Sequence, residues 1–339
     1  MIATQKAKNR VGARTLIEGS VLVILLFLPL GSGRLFSDFY IALCLRIMNF
    51  GVLMLGFDLL AGYCGLVSFG HAMFFGTGAY VAALTWKYFT DSIWIGMLLG
   101  LGLNAIIGYV LGLLVVRTRT VYFIFLTFAF SQFFFVTANS WRLIGGTDGL
   151  TGIPAPNLIP GISLGDRIPF YYFSLGLLTI AYWVARRIVN SHFGRLLRGI
   201  HQNEERVQFL GYNSPVLIRR IFLISGLFGS VSGSLMACFQ PFVPPDYFHL
   251  SMSGEFVMMG LLGGMGTLVG PLVGTAIVIF LGDLLSSWLK EAWMLCLGAL
   301  YVICILFSPE GLIRIISNLS ATGLVSRMFG RKGPSIHGS

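Results

Sequence analysis

The sequence predicts an all-α integral membrane protein, a polytopic helical bundle of about ten (8–10) transmembrane segments, some of them short or broken. Three observations predict it. Mean hydropathy is +0.83 and 56% of the 339 residues are hydrophobic, against about 45–50% apolar in ordinary soluble chains. Only 11% are charged, where soluble domains carry about 25%, and a soluble chain of this length has too little polar surface to cover so much apolar side chain. Finally, the stretches 93–116, 120–141, 168–185, 221–245 and 292–309 contain no Asp, Glu, Lys or Arg. As a helix, 93–116 would be about 36 Å long, enough to cross a hydrocarbon core of about 30 Å.

In order, the expected segments are 16–33, 38–60, 63–86, 93–116, 120–139, 168–188, 218–241, 253–266, 268–288 and 292–312. The first 15 residues are polar and basic, and an apolar run starts near Leu16. No A-x-A-like cleavage site follows Leu30, so the run reads as a retained first span rather than a signal peptide. The weakest segment is 253–266, about 21 Å long if helical. A re-entrant reading there would put the two termini on opposite sides, so a short or broken span is preferred.

Charge counting orients the chain. With the N-terminus cytoplasmic, the inner side holds Lys6, Lys8, Arg10, Arg14, Arg117, Arg119, the island Arg186, Arg187, Arg195, Arg198, Arg206, Arg219 and Arg220, and then Arg314, Arg327, Arg331 and Lys332. The outer side holds Arg34, Lys87, Arg142, Arg167 and Lys290, and Arg46 lies within a span. This is the asymmetry of the positive-inside rule. It gives a cytoplasmic tail 1–15, a transmembrane domain 16–315 with an outer loop at about 139–168 and an inner loop at about 189–217, and a cytoplasmic tail 316–339. The net charge of +10 is not accompanied by an aromatic-interleaved basic patch, so nucleic acid is not an expected partner; the lipid bilayer is.

Glycine recurs at small-xxx-small spacing: Gly96 and Gly100, Gly108 and Gly112, Gly229 and Gly233, Gly260 and Gly264, then Gly266, Gly270 and Gly274. Such spacing lets helices approach closely; ordinary packing and sliding seams share the pattern. The five cysteines, Cys44, Cys64, Cys238, Cys296 and Cys304, lie in apolar runs without CxxC or a histidine at ligand spacing, so no metal site is expected. No H-E-x-x-H, G-x-S-x-G or Gly-Lys-Ser/Thr occurs, so neither a catalytic residue nor an ATP-binding P-loop is assigned.

Ion-coupled transporters place ionisable groups inside spans. Here Asp58, Glu255 and Asp283 sit near span ends, where water could reach them, and Arg46 either faces protein or snorkels outward. His71 is either a packed neutral imidazole or part of a passage. Ser68, Asn104 and Gln132 are further candidates for a translocation path, as are Asn49 and Gln240.

Two loops stand out. The outer one reads NSWRLIGGTDGLTGIPAPNLIPGISLGDRI, and its turn residues Gly145, Gly146, Asp148, Gly149 and Gly152 suit an ordered, functional loop as well as a plain connector. In the inner one, Asn203 is a good N-cap, Glu204 and Glu205 suit the first helical turn and Gly211 is a good stop. A short helix of about two turns is expected there, as a solvated interfacial element or as a docking element for a soluble partner.

The inner loop GRLLRGIHQNEERVQFLGY (194–212) resembles the segment GRALRAIRENEIAAEALGI of the permeases of branched-chain amino acid ABC importers, the LivM type. GLVSFGHAMFFGTGAY (65–80) is similar to that family's LSxGQAAFFGIGAY, and YFIFLTFAFSQFFFVTANSWRLIGGTDGLTGIP (122–154) to a span followed by W-x-x-x-x-GG-x-DGL-x-GIP. SGEFVMMGLLGGMGTLVGPLVGTA (253–276) is similar to SGE…LLGGxGTLxGPxxGA, and FSPEGL (307–312) to FxPxGL. Five ordered motifs cover residues 50–315.

The resemblance implies a translocation subunit of an ATP-driven importer of branched-chain or other hydrophobic amino acids, in a bacterial inner membrane with both termini cytoplasmic. It implies a second homologous permease, two ATP-binding cassette ATPases and an extracytoplasmic substrate-binding protein. No cofactor is then bound by this chain, and ATP and Mg are bound on the ATPases. Asn203, Glu204, Glu205, Arg206, Gly211, Arg195 and Arg198 are implied to couple to the ATPase, with Arg206 and Gln208 replacing the family's small residues and making the contact more polar. The glycine-rich outer loop is implied to meet the binding protein. Related permeases carry urea or short amides on the same scaffold, and that cargo is the alternative. A stand-alone secondary transporter or channel suits the broken Gly-rich helices but lacks ion-site residues; a membrane enzyme has no residues to support it.

Overall fold

The computed structural model describes residues 38–116, 118, 121–159 and 161–289, together with isolated positions from 292 to 302. The expected first segment, both tails, Arg117 and Arg119, the FSPEGL motif and most of the expected last segment lie outside the described residues. Ten α-helices are described: α1 (Asp38–Asp58), α2 (His71–Tyr88), α3 (Ile93–Val115), α4 (Val121–Ser140), α5 (Arg167–Asn190), α6 (His192–Gln202), α7 (Glu204–Phe209), α8 (Ser214–Phe239), α9 (Leu250–Gly263) and α10 (Val269–Leu289). Helices α1 (with the π-turn that extends it to Tyr63), α3, α4, α5, α8 and α10 are long and apolar enough to cross a membrane. The chain is a multi-pass helical membrane protein. Between these spans, α2 and α9 are shorter, about 27 and 21 Å, and the charge-rich pair α6–α7 lies outside the apolar stretches.

Burial sorts the spans into layers. In α1 and α8 the share of buried residues is 67%, against 22–33% in α3, α4, α5 and α10, so α1 and α8 form the centre. Helix α8 packs against α1, α2 and α3, and α9 and α10 fold back on each other as a hairpin beside α1. Where helices meet, the repeated glycines face the contact. A Cβ on Gly233 would lie 1.9 Å from the Phe75 carbonyl oxygen, and one on Gly274 would lie 1.9 Å from that of Met259. At Gly102, which has nothing within 4 Å, no such contact exists.

Hydroxyl side chains of α8 tie these seams. Ser225 Oγ donates to the Gly56 carbonyl oxygen (2.7 Å), Ser232 Oγ to that of Asn49 (2.6 Å) and Ser234 Oγ to that of Gly78 (3.2 Å). Hydrocarbon offers polar groups no partners, so bonds between helices satisfy them.

The outer loop is built rather than slack. Two short 3-10 turns, Arg142–Ile144 and Gly146–Asp148, lead into β1 (Leu150–Thr151), and β2 (Asn157–Ile159) pairs with β3 (Ile162–Ser163). β1 also pairs antiparallel with β4 (Phe242–Val243), Leu150 opposite Val243. Lys87 Nζ donates to the Thr151 carbonyl oxygen (2.7 Å) and Trp94 Nε1 to that of Leu158 (3.1 Å).

Replacing Gly233 with Ala forces backbone apart at the α2–α8 seam and should destabilise the protein by about 1–3 kcal/mol, whereas Gly102→Ala should be neutral or slightly stabilising. Thermal unfolding of both variants in one detergent checks the difference; equal melting temperatures would contradict the seam.

Candidate functional site: a broken helix wired to the inner loop

The span expected at 63–86 is interrupted. α1 ends in the π-turn Leu59–Tyr63, residues 64–70 are not helical, and α2 starts only at His71. His71 Nε2 lies 2.6 Å from Ser225 Oγ, and Ser225 is about 17 Å along α8 from its first residue. At its His71 end the break therefore reaches into the apolar layer. Irregular backbone survives at that depth only where protein satisfies it, and here it does. Phe69 N–H donates to Thr127 Oγ1 of α4 (3.2 Å), Gly70 N–H to Ser68 Oγ (3.1 Å), and Ser253 Oγ of α9 donates to the Phe69 carbonyl oxygen (2.6 Å). Helices α2 and α9 thus begin side by side within the bundle.

A second turn docks at the base of this break. The glycine-rich link between α9 and α10 turns through positive φ at Gly264, Gly266 and Leu268, and Asp58 holds it. The buried Asp58 carboxylate accepts from the Gly266 N–H (2.6 Å) and from the Leu268 N–H (2.9 Å). From sequence, Asp58 was open to solvation; it is instead fully enclosed, because its partners are backbone donors from a segment some 208 residues away. Gly62 sits against the same turn: a Cβ there would be 2.3 Å from both Asp58 Oδ1 and the Gly266 nitrogen.

The inner loop reaches the break directly. Ser191 caps α6, its Oγ accepting from Gly194 N–H (3.2 Å), and Asn203 Oδ1 accepts from Arg206 N–H (2.9 Å) to start α7. Gly211 ends the segment at φ +87°, its N–H donating to the Gln208 carbonyl oxygen (2.9 Å). Near the end of α6, His201 Nδ1 lies 3.2 Å from the Gly62 carbonyl oxygen. Its ring packs on Gly65, where a Cβ would come within 2.8 Å of it. The π-turn is therefore clamped between Asp58 with its glycine turn and His201 of the inner loop.

Of the inner-loop residues singled out from sequence, Glu205, Arg206 and Gly211 are exposed and Glu204 is half-exposed, with Glu204 Oε1 accepting from Gln208 Nε2 (3.3 Å). Arg195 Nη2 lies 3.5 Å from His192 Nδ1. Arg198 turns back onto α5, donating to the Val189 carbonyl oxygen (3.0 Å). Sequence reasoning missed Phe209 and Leu210, which are 90% and 70% exposed beyond the apolar spans. Two large apolar groups in water beside the charged run of α7 were the available signal.

In the outer loop, Asp148 is exposed and Gly152 open, while Gly146 and Gly149 are buried; Gly145 folds onto the Gly149 carbonyl group. The path candidates sit at different places in the bundle. Asn104 Nδ2 donates to the Phe74 carbonyl oxygen (3.2 Å) and to Ser230 Oγ (2.9 Å), joining α3 to α2 and α8. Ser68 and His71 belong to the break, Gln132 is half-buried on α4, and Asn49 is buried in α1.

A multi-pass bundle with a broken central helix, an ordered loop at one end and a capped helical loop at the other has the build of a transport permease. Residues 39–306 match the model of the family described as branched-chain amino acid transport system / permease component, and the chain belongs to that family. It is 27% identical over 290 residues to the high-affinity branched-chain amino acid transport system permease protein LivM of Salmonella typhimurium, covering 78% of this chain and 68% of that one. Identity to LivM of Escherichia coli is 26% over 316 residues, 86% and 74% of the two chains. To the corresponding permease protein LivH of Escherichia coli it is 20% over 285 residues, 78% and 91%. No solved structure gives a significant match.

Asp58→Ala should orphan two buried N–H groups at a cost of about 1–3 kcal/mol each, seen as a lower melting temperature in detergent; an unchanged value would contradict the clamp. In a background lacking the native cysteines, Thr147→Cys and Gln208→Cys should react with an impermeant thiol reagent from opposite sides of the membrane. Labelling of both from one side would contradict the placement of the two loops at opposite ends of the bundle.

Proposed function

We propose that this chain is a translocation subunit of an ATP-driven importer for branched-chain or other hydrophobic amino acids in a bacterial inner membrane, with both termini cytoplasmic. It pairs with a second homologous permease, takes energy from two ATP-binding cassette ATPases that carry ATP and Mg, and receives cargo from an extracytoplasmic binding protein. The observation that carries this reading is the capped inner loop, where Glu205, Arg206 and Phe209 of α7 and the following Leu210 are exposed while His201 of α6 holds the π-turn at the Gly62 carbonyl oxygen. A subunit pushing on α7 would move the break through a chain of direct contacts. Family membership and the likeness to LivM support the cargo class.

In this reading Asn203, Glu204, Glu205, Arg206 and Gly211 shape the ATPase contact, Arg195 and Arg198 brace it, and Gly145, Gly146, Asp148, Gly149 and Gly152 form the loop that meets the binding protein. Ser68 and His71 lie at the part of the path that changes shape, and Asn104 and Gln132 pack beside it.

The test is reconstitution with the candidate partner permease, ATPases and binding protein in proteoliposomes, followed by ATP-driven uptake of labelled leucine, isoleucine and valine. Gly211→Val places a β-branched residue at φ +87°, which it resists, and Glu204→Arg reverses charge in the first turn of α7, where a cation is disfavoured. Each should lower uptake at least tenfold with the permease still inserted, through lost ATPase attachment or lost stimulation of hydrolysis. Normal uptake by both variants at wild-type expression would remove the coupling role.

A further inference from the structure

Arg46 of α1 and Asp283 of α10 meet inside the bundle, 237 residues apart in sequence. Arg46 Nη1 donates to both carboxylate oxygens of Asp283, at 2.7 and 2.9 Å. Arg46 lies about 12 Å into α1 from its first residue, and Asp283 about 21 Å along α10 from the glycine turn. The sequence left Arg46 without a partner, and its own helix offers none.

Three features set this pair apart from a tie between helices. The contact is one-pronged: a single nitrogen serves both oxygens, where a closed guanidinium–carboxylate fork uses two, and Arg46 Nε is buried with no hydrogen-bond partner. The pair is also open, with side chains 34% and 25% accessible. Charged groups in a span turn to protein interior or to water rather than to hydrocarbon, and Asp283 lies within two turns of the end of α10, so water reaches the pair. Finally, a second carboxylate stands by. Glu255 is the sixth residue of α9, a helix that packs against both α1 and α10, and the Arg46 charge acts on it as it does on Tyr247 in the segment leading into α9. Tyr247 is itself fixed, its hydroxyl donating to Gln240 Oε1 (2.9 Å).

One guanidinium with unused donors and two carboxylates have the charge pattern that a zwitterion completes. We propose that Arg46, Asp283 and Glu255 form a transient recognition site for free α-amino acids in the passage, Arg46 receiving the α-carboxylate and the two carboxylates the α-ammonium group. The site rests on the reading of the chain as an amino acid permease and narrows it. Urea and simple amides carry neither charge and gain nothing from the site, whereas any α-amino acid presents the same two groups whatever its side chain. Selection among side chains then falls to another component. Because Arg46 and Asp283 hold each other when no cargo is present, the zwitterion replaces an existing ion pair rather than meeting two bare charges. That keeps binding weak enough for release.

The test uses the complete importer in proteoliposomes, with labelled leucine inside the loaded binding protein. Arg46→Met combined with Asp283→Leu removes both charges of the pair at once, so neither member of it is left facing a missing partner. Leucine uptake per ATP hydrolysed should fall at least tenfold, with the permease still assembled and its hydrolysis still stimulated by the loaded binding protein. Transport at the wild-type ratio by this variant would show the pair to be only a tie between α1 and α10 and would overturn the site. If the double variant fails to assemble, Glu255→Gln decides, being nearly isosteric: a drop of at least threefold in the same ratio supports the site, and no change overturns it. A wild-type importer that moves no branched-chain amino acid would instead overturn the cargo reading on which the site depends, and this outcome is distinct from wild-type uptake with unaffected variants.

Discussion

Inside a bilayer, every backbone N–H and C=O that leaves a helix needs a partner from the protein itself, since water is not there to supply one. The centre of this molecule is arranged around that constraint. Residues 64–70 leave the helix, and at their deeper end Thr127, Ser68 and Ser253 bond the Phe69 and Gly70 backbone groups. The turn between α9 and α10 leaves it too, and the Asp58 carboxylate takes its N–H groups. Both breaks abut Gly62, so the two irregular segments form one joint rather than two separate defects.

The joint explains why α8 is so rich in serine and glycine. A helix that must lie against α1, α2 and α3 at once needs small residues where backbones touch, and Gly233 and Gly229 meet that need against α2. Close approach then brings carbonyl groups of neighbouring helices within reach of short hydroxyls, and Ser225, Ser232 and Ser234 bond to them. Asn104 adds a link from α3. Polar residues in this region are therefore largely spent on holding helices together. The joint can shift only by exchanging such bonds, and a π-turn is a common form for such a functional irregularity.

The two ends of the bundle connect to this joint by different means. On one side His201 touches Gly62 and Gly65, so the inner loop bears on the π-turn without an intermediary. On the other, β1 pairs with β4, and the chain from β4 passes through Pro245–Phe248 into α9, whose Ser253 grips the break. Ser131 of α4 fixes that passage by donating to the Phe248 carbonyl oxygen (2.8 Å). Two loops at opposite ends of the bundle thus bear on one central element.

The sequence by itself determined the class of the molecule and its punctuation. Hydropathy sets the spans because solvation in lipid depends on composition over some twenty residues, and the caps at Asn203 and Gly211 were legible because capping is local chemistry between residues a few positions apart. The five motifs pointed to the family that the match over residues 39–306 establishes. What only the tertiary structure decided was which polar residue meets which. Asp58 and Leu268, Arg46 and Asp283, His201 and Gly62 are far apart in the chain, and nothing local to any of them names its partner. The break at 64–70 was hidden for the same reason: an apolar stretch reads as continuous helix unless distant side chains are present to satisfy an interruption, and those side chains come from α4 and α9.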